Sequence, residues 1–243
     1  MSQDSFELLI RRAANVCGID ITRYRPQTTE AGRLTAMLSH HGIDVVLDVG
    51  ANVGQFASGL RRAGYSGRLV SFEPLSEAYE KLLVAADGDA NWDVAPRTAI
   101  GDHQGEIEIH VSHNSVSSSI LNMLESHSNS APSSRYIGNE SVKINTLDTL
   151  AISHLESGSA SFLKIDTQGY EDRVLNGARN TLKRLRGVQL ELSLVPLYEG
   201  QQLFDTFADR LQALGFVVWA IWPGFCDPVT GRMLQVDAVF FRE

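Results

Sequence analysis

Residues 45–56 read VVLDVGANVGQF. An apolar run carrying one acid, Asp48, gives way to Gly50, Asn52 and Gly54, and then to helical spacing. Such a run reads as a buried strand of a parallel sheet that turns sharply into a helix. Glycine takes a positive φ without steric cost, and asparagine takes it more readily than most residues. The turn is therefore tight and open to close approach. The helix expected from about Val53 directs unpaired N–H groups at that space. A nucleoside-bearing ligand is the expectation.

The alternation of strand and helix extends outward from this turn. Strands are expected at 44–49, 68–73, 92–100, 161–165, 187–194, 216–222 and 234–241, with a hairpin-like continuation at 105–112. Helices are expected at 53–63, 76–86 (with Ser76 as its N-cap), 170–185 and 202–214, preceded by two more at 5–16 and 29–40. Helices between strands imply a parallel sheet covered on both faces. The last two strands lack an intervening helix, so the final one should run against the rest. The pattern predicts an α/β fold: a Rossmann-like, seven-stranded, mostly parallel sheet with one reversed strand, the architecture of class I methyltransferases. Residues 1–42 are expected to form a helical extension packing on the core, and 43–243 the main domain.

Composition narrows the partners. The 243 residues are 43% hydrophobic and carry a net charge of −8, which argues against binding nucleic acid through its phosphates. The two cysteines, Cys17 and Cys226, belong to no metal-binding spacing and fit a reducing compartment. The N-terminus lacks a signal-peptide layout, and the longest apolar run, around Phe216 to Trp222, is too short for a bilayer. A cytoplasmic location and no transmembrane segment are expected, with a homo-oligomer left open. From Ser112 to Ser134, ten of twenty-three residues are serine. A polar stretch of that length in a compact domain reads as a functional lid or a mobile loop.

Three acids point to the ligand. Dinucleotide sites use G-x-G-x-x-G to hold a pyrophosphate, whereas here Asp48, Gly50, Asn52 and Gly54 alternate. Asp48 would be a poor neighbour for a pyrophosphate, but it suits the ammonium side of S-adenosylmethionine. Glu73, nineteen residues past Gly54, stands where open α/β sheets place an acid for the ribose hydroxyls. Asp102 can accept from the adenine amino group, with Ile100 against the ring. An NAD-linked oxidoreductase and a non-catalytic nucleoside-binding module are the competing readings.

Five ordered motifs, VVLDVGANVGQF, VSFEPL (70–75), AIGD (99–102), LKIDTQGYE (163–171) and VQLELSLVPLYEG (188–200), together resemble the FkbM family of S-adenosylmethionine-dependent methyltransferases. The resemblance implies a class I fold and O-methylation, often of sugar or natural-product hydroxyls. Many relatives carry a second acid in the segment where this chain has Gln168.

Catalysis is expected at the carboxyl ends of the strands, where Asp166 and Glu191 converge. Either of them acts as general base on an acceptor hydroxyl, or the pair holds Mg²⁺ with help from the Gln168 carbonyl; the metal-free form is preferred. His113 is a weaker candidate for the base. The acceptor is a small-molecule or glycan hydroxyl of a saccharide, glycolipid or secondary metabolite. Its expected lining includes the Ser115–Ser119 cluster (Ser117 and Ser118 in particular), Gln168, Tyr198, Glu199, Trp222 and Phe225.

Overall fold

In the computed structural model, residues 3–19, 21, 25–155 and 158–243 are described. The main sheet contains β1 (Val45–Val49), β2 (Arg68–Phe72), β3 (Trp92–Val94), β7 (Ser161–Ile165), β8 (Leu185–Ser193), β9 (Phe216–Pro223) and β10 (Gln235–Arg242). Their order is β3-β2-β1-β7-β8-β10-β9. β10 runs antiparallel to both neighbours and the other pairings are parallel, as the missing helix before the last strand requires. A small sheet of β4 (Ala99–Gly101), β6 (Tyr136–Thr146) and β5 (Gly105–Ser112) lies beside it.

The helices are α1 (Gln3–Val16), α2 (Glu30–His40), α3 (Gln55–Arg62), α4 (Ser76–Ala86), α5 (Glu125–Ser130), α6 (Leu147–Leu150), α7 (Glu171–Asn176), α8 (Arg179–Leu182) and α9 (Phe204–Ala213). Alternation along the strands sorts side chains into two cores. On one face Leu47, Val49, Leu163, Ile165 and Leu190 pack with Phe207 and Leu211 of α9. On the other, Val46 and Phe162 pack with Leu34 and Leu38 of α2 and with Ala57 and Leu60 of α3. The N-terminal extension thus divides: α2 seals one face of the sheet, whereas Leu8, Leu9, Ile10 and Val16 of α1 are exposed. Among the described residues no helix is long and apolar enough to cross a membrane.

Three local expectations change. The strand expected over 92–100 is two strands in two sheets, β3 beside β2 and β4 beside β6. The helix expected over 170–185 is broken at Gly177, where a Cβ would overlap the Gly101 carbonyl. Ser76 does not cap α4. Its own N–H and hydroxyl donate to Glu140 of β6, a carboxylate placed at the positive end of the helix.

Candidate functional site

The turn after β1 has the strained geometry that its sequence predicted. Gly50, Asn52 and Gly54 have φ of 79°, 48° and 83°. At Gly50 a Cβ would overlap the Asp166 carbonyl oxygen, so only glycine fits between the first and fourth parallel strand ends. Glu73, at the end of β2, holds the turn from the other side. Its Oε2 accepts the Asn52 N–H at 2.7 Å and its Oε1 the Leu75 N–H at 2.9 Å. Burial pushes the Glu73 carboxyl up to about 7, against the pull of those two bonds.

Around this clamp lies a chamber lined by Val49, Gly50, Asn52, Gln55, Phe72, Glu73, Leu75, Ala99, Ile100 and Asp166. A second chamber of about 300 Å³ adjoins it, lined by Asn114, Ser117, His127, Ser134, Glu191, Phe225 and Gln235. Four side chains, Gln55, Val116, Asp166 and Gln168, face both. The serine-rich segment forms a roof over the pair. Ser115 and Ser118 close the first chamber, Asn114 and Ser117 the second. Hydroxyls tie that roof together: Ser117 Oγ donates to Ser134 Oγ at 2.9 Å, and Ser118 Oγ accepts the Ser112 N–H at 3.0 Å. Asn52 Nδ2 reaches Ser115 Oγ at 3.4 Å and joins roof to turn.

The partition between the chambers is a polar hub on Gln168, itself at φ 53°. Its Nε2 donates to Asp166 Oδ1 at 2.8 Å and to Glu191 Oε2 at 2.6 Å. The Tyr198 hydroxyl donates to its Oε1 at 2.8 Å. Gln235 Nε2 gives Glu191 Oε2 a second bond at 2.9 Å. Burial, together with Asp166, Asp237 and Glu171, holds the Glu191 carboxyl well above the usual range. The loop carrying Asp166 is braced from below by Glu171, whose Oε1 accepts the N–H groups of Thr167 and Gly169.

Lys164, which the sequence reading passed over, lies beneath this hub. It is 5% exposed, sits 3.4 Å from Asp48 and 3.3 Å from Asp166, and donates to the Gly50 carbonyl at 3.3 Å. Burial alone would lower its pKa, but Asp166, Asp48 and Asp237 outweigh that and raise it. A lysine inside the otherwise apolar strand SFLKI signals a buried partner, and Asp48 stands opposite it in register.

Several expected site residues take other places. Asp48 is fully buried and faces Lys164 and Ser71 rather than either chamber, because alternation along β1 turns it to the α2 side. Gly54 packs against Leu82 and Trp92. Asp102 stands away from the chambers, its carboxylate 2.9 Å from both Arg173 and His103, while Ala99 and Ile100 of that motif line the first chamber. Tyr198 is buried and acts on Gln168 rather than lining a cavity. Trp222 packs in the α2-side core, and Glu199 bonds Asn122. Ser118 faces the first chamber, not the second. His113 lines neither chamber; His127, unremarked in the sequence reading, lines the second.

Gln168 turns its donor nitrogen toward both Asp166 and Glu191 and bridges the two carboxyl groups. Among the described residues no group of three or more His, Cys, Asp or Glu is placed to hold a metal.

A family model described as the methyltransferase FkbM domain matches residues 48–218. The chain belongs to the FkbM methyltransferase family. The match spans the Gly50 turn, Glu73, the Gln168 hub and β8, and FkbM membership makes the protein an S-adenosylmethionine-dependent methyltransferase. No curated protein sequence is significantly similar to it. Solved structures to which it is similar include TehB from Haemophilus influenzae, 9% identical at a TM-score of 0.48 over 87% of this chain and 62% of that one. The mitomycin 7-O-methyltransferase is 13% identical at 0.45 over 100% and 59%. An rRNA methylase from Streptococcus thermophilus is 11% identical at 0.43 over 91% and 99%.

Proposed function

We propose that this FkbM chain transfers a methyl group from S-adenosylmethionine to a hydroxyl of a saccharide, glycolipid or secondary metabolite. The observation that carries this reading is the shared wall: two chambers adjoin at the strand ends, and Asp166 faces both. In the first chamber, Glu73 accepts from the ribose hydroxyls and Ile100 lies against the adenine. Gly50 and Asn52 give the amino-acid end its close approach. When bound there, S-adenosylmethionine supplies an electrophilic methyl carbon.

The remaining work falls to the partition. Asp166 accepts the proton of the acceptor hydroxyl. The hydroxyl becomes strongly acidic as its oxygen takes the methyl group and S-adenosylhomocysteine departs, so the proton passes to the carboxylate beside it. Gln168 fixes the Asp166 carboxylate through Oδ1 and Lys164 fixes it through Oδ2, so the acceptor oxygen meets a held partner rather than a rotating one. Much of the rate comes from such positioning. Glu191 and Ser117 orient the acceptor in the second chamber.

The test pairs two measurements on Asp166→Asn. S-adenosylhomocysteine affinity, by isothermal titration, should stay within about twofold of the parent. Methyl transfer to a panel of hydroxylated acceptors, run with and without chelator, should fall by about 100-fold or more. Undiminished transfer in the variant would remove the base from this scheme; a parent chain that binds S-adenosylhomocysteine but methylates no hydroxyl would support the binding-module reading instead.

A further inference from the structure

We infer that the second chamber selects an acceptor bearing a protonated amine close to the hydroxyl that is methylated, with the ammonium seated on Glu191. This rests on the reading of that chamber as the acceptor site. Its starting point is the charge of the lining. Among the described residues, Asp166 and Glu191 are the charged side chains facing the chamber, and neither lysine nor arginine lines it. Behind them the sheet places two further carboxylates, Asp48 and Asp237, so that four acids share Lys164 as their buried cation. Asp237 lies opposite Glu191 in register and bonds the amide of Gln189.

The distribution of hydrogen bonds locates the place for a cation. Lys164 reaches Asp48 and Asp166. Glu191 receives only amide donors, from Gln168 and Gln235, and both fall on Oε2. Oε1 of Glu191 takes no bond from the described residues, although its side chain lines the chamber. A carboxyl with one satisfied and one open oxygen, held up by its acidic neighbours, gains both a partner and its charge when an ammonium docks on it.

A second, independent feature marks the chamber as built for a ligand. His127 is 3% exposed, packs against Tyr198 and Phe225, and lines the same cavity. Its Nδ1 has no hydrogen-bond partner among the described residues. Burial holds this imidazole neutral, with a pKa lowered to about 4, so it adds no positive charge to oppose an ammonium. Orphaned buried polar atoms are uncommon in folded chains, and this one belongs to a side chain of the chamber wall. Amides of Gln55, Asn114 and Gln235 and hydroxyls of Ser117 and Ser134 complete a lining suited to a polyhydroxylated ring. The volume is at the small end for ligand pockets, the scale of one sugar unit. A phosphorylated or otherwise anionic acceptor would meet two carboxylates with no counter-charge.

The test uses the full chain saturated with S-adenosylhomocysteine near pH 7. Binding of D-glucosamine, N-acetyl-D-glucosamine, D-glucose and D-glucose 6-phosphate is followed by isothermal titration or ligand-observed NMR. Glucosamine should bind about tenfold more tightly than its N-acetyl or unaminated counterparts, with the phosphate weakest. In Glu191→Gln that advantage should vanish while S-adenosylhomocysteine affinity is retained, which shows the variant folded. Equal affinities across the four, binding by none of them, or an amine preference that survives Glu191→Gln would overturn the inference and leave the donor chamber standing. Failure of the parent to bind S-adenosylhomocysteine would instead fell the reading on which it rests.

Discussion

Replacing Glu73 by glutamine should change how stability depends on pH, in a direction opposite to ordinary acid denaturation. Glu73 is 4% exposed, and its carboxyl is raised by burial from 4.5 to about 7. Below pH 4.5 the group is protonated whether the chain is folded or not, and its contribution is fully present. As pH rises through 7 the unfolded chain ionises freely while the folded one resists, so that contribution is lost. At 1.36 kcal/mol per unit the total is about 3 kcal/mol, most of it between pH 5 and pH 8. Glutamine does not titrate, so the variant lacks this slope. It carries a separate, pH-independent cost: Asn52 and Leu75 each offer an N–H, and an amide nitrogen cannot accept either one. A protonated acid's hydroxyl oxygen still can. Leaving one buried donor unpaired costs about 1–3 kcal/mol. Urea unfolding of ligand-free protein at pH 5, 6, 7 and 8 should therefore show Glu73→Gln less stable than the parent at pH 5 and gaining on it by about 2–3 kcal/mol up to pH 8, where it is level with the parent or above it. The other raised acids, such as Glu171 at about 7, titrate in both proteins and cancel. A difference between the two proteins that stays constant across this range would refute the reasoning.

Three further substitutions probe the same framework. Gly50→Ala should cost several kcal/mol in urea unfolding, on the order of 3, and abolish S-adenosylhomocysteine binding by titration, since its Cβ meets the Asp166 carbonyl at a positive φ. Lys164→Met removes the cation between Asp48 and Asp166 and should destabilise the chain by about 3–5 kcal/mol at neutral pH, with partial recovery in Asp48→Asn/Lys164→Met. Tyr198→Phe frees the Gln168 carbonyl; stability should drop by about 1 kcal/mol, and methyl transfer should slow while S-adenosylhomocysteine affinity holds.

The fold was legible wherever apolar runs and turn residues coincide. Val45–Val49, Ser161–Ile165 and the reversed last strand are found where the pattern puts them. β6 was missed because its inward side is sparse, with Val142 and Ile144 buried and the flanking residues polar. The break at Gly177 was hidden because its cause, the Gly101 carbonyl, lies 76 positions away in sequence. At the site, Gly50, Asn52, Glu73, Ile100, Asp166, Gln168, Glu191 and Ser117 all line a chamber. The misplaced residues share one physical reason: local motifs do not say which way a side chain faces. Asp48 and Trp222 turn to the side that α2 covers, and Asp102 finds Arg173 before it could meet a ligand. Lys164 was in principle readable from its charge amid apolar neighbours. His127 was not, since nothing periodic distinguishes it in a serine-rich stretch.

Gln55, Val116, Asp166 and Gln168 belong to both compartments at once. Any shift of this common septum on filling one side alters the fit on the other, and thermodynamic reciprocity requires the two effects to be equal. Donor and acceptor are then not independent tenants: affinity for an acceptor measured on the empty protein differs from that measured with the neighbouring compartment occupied, by the same factor that the acceptor changes the affinity for the donor.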